Sequence, residues 1–64
     1  MNMKLKRVKL GMTQLELKEK ANVSLSSIIA LERGNIDGVR VKTIKKIAKA
    51  LNSTVQELFF DDGE

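Results

Sequence analysis

The chain of 64 residues has no cysteine, no histidine and no proline. Without cysteine no disulfide can staple a domain this close to the lower size limit for folding, and the lack fits a reducing cytosol. With histidine absent as well, the usual zinc ligands and the usual general base are missing together. No pair of groups makes a nucleophile and its base, so no enzyme is expected, and no cofactor, metal or small-molecule ligand. No apolar run approaches the roughly 20 residues of a membrane span. MNMKLKRVKL has basic residues but not the unbroken apolar stretch of a signal peptide, so no membrane partner is expected.

Acidic residues are scarce over most of the chain. Before residue 57, twelve Lys and Arg face only Glu16, Glu19, Glu32 and Asp37, which leaves the body at +8. The other four acids, Glu57, Asp61, Asp62 and Glu64, crowd the end, so the net charge is +4 with a pI near 9.7. A body this basic favours a polyanionic partner.

What is present is helical periodicity, with 42% apolar residues to fill one core. Met3, Arg7 and Leu10 share a face of a first helix that stops at Gly11, a residue suited to the left-handed position after a helix. Thr13 with Glu16 makes a capping box for a second helix, whose inner face is Leu17 and Ala21. Asn22 tolerates positive φ where the chain must turn. Ser24 caps a third helix with Ile28 and Leu31 inside, and Gly34 ends it. Asn35 to Gly38 reads as a loop. Ile44, Ile47, Ala48 and Leu51 form the seam of a fourth helix. Ser53 with Gln56 suggests a second capping box, opening a short fifth helix through Val55, Leu58 and Phe59. Residues 1–60 read as a single domain and residues 61–64 as a short acidic tail, frayed at the end.

Only Ala21, Asn22 and Val23 separate the second helical pattern from the third. A single long helix would bury the same leucines, so the break serves to set an angle. Two short helices joined by a three-residue turn make a helix-turn-helix, in which one helix braces another that can enter a DNA major groove. The stretches GMTQLEL, ANVSLSSI, LERGN and IKKIAKALNSTVQEL, in order from about Met3 to Phe59, resemble the phage repressor and Cro-like (XRE-type) helix-turn-helix domains.

The resemblance implies an all-α, five-helix lambda-repressor-like DNA-binding domain with the helix-turn-helix at helices 2 and 3. It implies a cytoplasmic protein, prokaryotic or phage-encoded and nucleoid-associated when bound. Its partner would be double-stranded DNA, bound sequence-specifically as a homodimer on a pseudo-palindromic operator, and its role that of a transcriptional regulator, with repression the expected direction. Arg7 and Glu32 occupy the positions where this family often places a partly buried ion pair, and each would be costly to bury alone. Carried over by position, Leu25, Ser26, Ile29 and Ala30 should face bases. Gln14, Ser24, Arg33, Asn35, Arg40 and Lys42 should face phosphates.

Several positions depart from the family pattern. Lys18 stands where alanine is common, so its stem must lie over the third helix while its ammonium reaches outward. Asn22 replaces a usual glycine, and Val39 and Arg40 replace the proline and hydroxyl cap that often open the fourth helix. The base-facing set offers one hydroxyl and three apolar groups where relatives show Gln, Arg, Ser or Asn. Such a face can meet thymine methyls, or it can dock a protein, which would make the chain an antitoxin-like or adaptor module. Near the end, Val55, Leu58, Phe59 and Phe60 either supply a dimer contact or close the core.

Overall fold

The computed structural model describes residues 2–60, which form four α-helices and a closing turn of π-helix, with no strand among them. α1 spans Met3–Lys9, α2 Gln14–Ala21, α3 Leu25–Glu32 and α4 Val41–Ala50, and the π turn is Gln56–Phe60. The acidic tail assigned to residues 61–64 lies outside the described residues. The architecture is all-α, as the periodicity demands.

Each helix stops where one residue turns left-handed. Gly11 (φ +72°) and Gly34 (φ +88°) do so after α1 and α3, and Asn22 (φ 58°) and Asn52 (φ 55°) after α2 and α4. The reversal aims the following amide back at the last turn. Met12 N–H donates to the Arg7 carbonyl (3.1 Å), Val23 to Lys18 (3.2 Å), Asn35 to Ala30 (2.9 Å) and Ser53 to Ala48 (2.9 Å). Carbonyls that a helix end would leave orphaned are thereby satisfied. The four α-helices can be short because each C-terminal end is closed locally.

The starts of α2, α3 and the π turn are also closed by side chains, one of them displaced from the expected residue. Asn2 before α1 and Arg40 before α4 make no side-chain capping bond. Thr13 and Glu16 form a reciprocal capping box, Glu16 N–H to Thr13 Oγ1 at 3.0 Å and Thr13 N–H to Glu16 Oε1 at 2.8 Å. The second box does not form between Ser53 and Gln56. It lies one residue on, with Glu57 N–H donating to Thr54 Oγ1 (3.1 Å) and Thr54 N–H to Glu57 Oε1 (2.9 Å). Ser53 is already committed, since its N–H closes α4 and its hydroxyl donates to the Leu51 carbonyl (3.1 Å). The expected short fifth helix is present, as a π-helical turn over Gln56–Phe60.

Met3, Leu17, Ile28, Leu31, Ile47, Leu51 and Leu58 are fully buried and make the centre of the core, with Ala21, Ile44, Ala48, Ala50 and Phe59 around them. α2 packs against both α3 and α4, and α1 packs against α3 and the π turn. The N-terminus is tied down by Asn2 N–H donating to the Leu58 carbonyl (2.9 Å). One expectation is corrected. Leu10 does not join the core; it is the residue that ends α1 and is 46% exposed. Of the two readings for the closing segment, the burial of Leu58 and Phe59 in the core agrees with the second, in which they close the core.

Asn52 offers a direct check on the α4 ending. An L-residue with a Cβ costs about 1–2 kcal/mol in the left-handed region, a penalty that asparagine partly and glycine wholly escapes. Asn52→Ala should lower stability by about 1 kcal/mol in denaturant unfolding, while Asn52→Gly stays within roughly 0.5 kcal/mol of the parent. Equal losses for both would show that the left-handed geometry is not what Asn52 supplies.

Candidate nucleic-acid interface

The α2–α3 unit is built by three adjacent residues with separate tasks. Asn22 ends α2, half-buried Val23 packs against the core, and Ser24, in extended backbone, opens α3 by accepting from Ser27 N–H (3.2 Å). The Ser24 hydroxyl also shares hydrogen bonds with those of Ser27 (2.8 Å) and Ser26 (3.2 Å). The α3 N-terminus is therefore ringed with hydroxyls.

α3 has two faces. Ile28 and Leu31 are wholly buried, and they fix its rotation. With 3.6 residues per turn, the opposite side then carries Leu25, Ser26, Ile29 and Ala30. Ser26 is exposed and the other three are half-buried, and none of the four belongs to the core. The four residues assigned to base edges thus share one outward surface.

Beneath that surface lies the ion pair. Arg7, only 8% exposed, donates from Nε to Glu32 Oε2 (2.7 Å) and from Nη2 to Glu32 Oε1 (3.2 Å). Its Nη1 donates to the Met12 carbonyl (2.8 Å). The planar fork thus spans the carboxylate and the loop after α1, an arrangement that lysine could not copy. Gln14 joins the same group, donating from Nε2 to Glu32 Oε1 (3.1 Å). That contact bridges 18 positions of sequence and locks the start of α2 to the end of α3. The Gln14 amide nitrogen is therefore engaged within the protomer, while its backbone N–H at the α2 start has no partner among the described residues.

The other residues assigned to phosphates lie on the surface. Ser24, Arg33, Asn35, Arg40 and Lys42 are all exposed. Gln14, Ile29 and Arg33 line one open cleft, with Lys4 and Glu32. Ala30 and Asn35 line a second, formed with the loop from Gly34 to Val39. Arg40 and Lys42 line neither, standing instead at the start of α4. There Arg40 is the N-cap residue but makes no side-chain capping bond, and no acid occupies the first turn. The first amides of α4 consequently keep their donors open beside two cations, which is the electrostatic character that attracts an anion. Lys18 is half-buried.

Three features escaped the sequence reading. Gln14 bonding to Glu32 and Arg7 bonding to Met12 depend on tertiary placement. Lys4 beside Ile29 left only a faint signal, its position one turn before Arg7 on the same helix face. Among the described residues no group of acidic residues could hold a metal ion, and no helix is long and apolar enough to cross a membrane.

The helix-turn-helix family model matches residues 3–58. Two proteins of Archaeoglobus fulgidus, both described as uncharacterized HTH-type transcriptional regulators, are similar over nearly the whole chain. One is 41% identical over 59 residues, covering 91% of this chain and 83% of the relative. The other is 34% identical over 58 residues, covering 91% and 80%. No solved structure matches the chain significantly.

Proposed function

The chain belongs to the XRE-type helix-turn-helix family, and from that premise we propose that it is a sequence-specific double-stranded DNA-binding transcriptional regulator. In this proposal α3 lies in the major groove, with Leu25, Ser26, Ile29 and Ala30 against base edges. Gln14, Ser24, Arg33, Asn35, Arg40 and Lys42 hold the flanking phosphates. The observation that carries it is the outward α3 face, with exposed Arg33 lining the cleft beside Ile29 and two further exposed cations, Arg40 and Lys42, at the uncapped start of α4. The similar proteins bear the name of transcriptional regulators, which supports the same reading. Repression is the simplest output, because occupancy of a site is enough for it. The proposed setting is a prokaryotic cytoplasm, where the DNA is.

Size supports a dimer. Successive major grooves on one face of B-DNA lie about 34 Å apart. The domain has one helix-turn-helix and a longest dimension of 31 Å, so one copy reaches one groove. We place the contact between copies at Phe60, which is 60% exposed, with half-buried Val55 on the same closing segment. The apolar character of Leu25, Ile29 and Ala30 supports a second reading, in which this face docks a protein as an antitoxin-like or adaptor module.

Selection of bound sequences from a random duplex pool, repeated at two salt concentrations, separates the two. The regulator reading expects an inverted repeat with half-sites about 10–10.5 bp apart centre to centre, or a multiple of that. Arg40→Ala and Lys42→Ala should each weaken binding to every duplex alike and lower the salt slope by roughly one unit. A variant that changed sequence preference and left the slope alone would remove that residue from the phosphate set. No enrichment, with no salt-dependent binding, would favour the adaptor.

A further inference from the structure

Lys4 belongs to none of the contacts assigned so far. It is exposed on α1, one helical turn before Arg7 and on the same side of the helix. That side faces α3, because Arg7 is clamped to Glu32 through two hydrogen bonds. Lys4 therefore comes to line an open cleft with Gln14, Ile29, Glu32 and Arg33. The one carboxylate in this cleft is already engaged by Arg7 and Gln14. The ammonium of Lys4 and the guanidinium of Arg33 are left with no carboxylate within 4.0 Å among the described residues, where Arg7 and Glu32 form the sole ion pair. Two uncompensated cations thus flank Ile29, a side chain assigned to base edges.

We infer that Lys4 is a further DNA contact, holding together with Arg33 a backbone phosphate next to the base pair that Ile29 faces. The inference rests on the proposed regulator function and extends it to α1, which becomes a third anchoring element beside the starts of α2 and α4. The Arg7–Glu32 clamp acquires a second use, because it holds Lys4 in register with α3. Lysine suits the role as a point charge on a flexible stem, reaching a phosphate without needing a fork.

Lys9 supplies the control. It is exposed on the same helix, but it lines a different cleft, with Asn2, Leu5, Glu57 and Leu58. Five residues from Lys4, it points about 140° away around the helix axis. The experiment measures duplex affinity by fluorescence anisotropy across a salt series for the full chain and for Lys4→Ala, Lys4→Arg and Lys9→Ala. Lys4→Ala should bind roughly 3- to 10-fold more weakly at moderate salt, with a slope lower by about 0.9. Lys4→Arg should keep the parent slope, and Lys9→Ala should differ little from the parent. Thermal melts of each variant should match the parent, since both lysines are exposed. An unchanged slope for Lys4→Ala would overturn the inference, and so would an equal drop for Lys9→Ala, which would mean that only net charge matters. If the parent itself bound no duplex in a salt-dependent way, the regulator reading would fail instead.

Discussion

Glu32→Ala is expected to destabilise the domain by about 2–4 kcal/mol and to lower its melting temperature by roughly 8–30 °C. The substitution leaves the Arg7 guanidinium nearly buried with only the Met12 carbonyl as partner, and it strips Gln14 of its acceptor. The loss comes from the uncompensated charge and not from the pair's own net worth. Two consequences separate this cause from simple loss of packing. Replacing both partners, as in Arg7→Met with Glu32→Leu, should recover much of the stability, because no buried charge remains. Added salt should rescue the single variant very little, since screening scarcely reaches a buried group. A melting temperature for Glu32→Ala equal to the parent's would mean that the clamp contributes nothing.

Ile29→Glu should abolish specific DNA binding while leaving the fold intact. The side chain lies on the outer face of α3 and outside the core, so the change should cost less than about 0.5 kcal/mol of stability. In the groove, however, a carboxylate would meet base-edge acceptors between two lines of phosphates. Like charges juxtaposed at an interface cost several kcal/mol, so affinity for a selected duplex should fall at least about 100-fold. Ile28→Glu, one residue earlier but wholly buried, should unfold the domain instead. Ile29→Glu that bound duplex as well as the parent would take this face out of the groove and leave the adaptor reading in front.

The local grammar of the fold was legible in the sequence, and the reason is physical. Gly11, Asn22, Gly34, Thr13 and Ser24 act on amides within five residues of themselves, so their meaning survives without tertiary context. The inward faces of α2, α3 and α4 followed from periodicity for the same reason. Ser53 shows where local reading fails. Ser53 with Gln56 and Thr54 with Glu57 are equally good patterns, and the choice falls to Thr54 only because Asn52 turns left-handed and spends the Ser53 amide on closing α4. Among Val55, Leu58, Phe59 and Phe60, no periodic rule for an α-helix separates core from surface, because the turn that carries the last three is π-type.

The site divides in the same way. Arg7 and Glu32 came from a family resemblance, and their mutual geometry needed the structure, as did the turn of Gln14 toward Glu32 across 18 positions. The outward set on α3 needed only the inward pair Ile28 and Leu31, since one face of a short helix defines the other. Lys4 could not be singled out among twelve basic residues until the packing of α1 on α3 set it beside Ile29.

The claim on which all of this converges is that the apolar outer face of α3 reads thymine methyls. It can be measured by binding the parent and Ile29→Ala to matched duplexes in which each thymine of the selected half-site is replaced in turn by uracil. The substitution removes a methyl group and nothing else, worth on the order of 1 kcal/mol, or about fivefold in affinity. The account predicts at least one position where the parent shows that loss and Ile29→Ala does not, while both retain the same salt-dependent binding to unrelated duplex. Parent binding that is indifferent to every thymine-to-uracil exchange would contradict it.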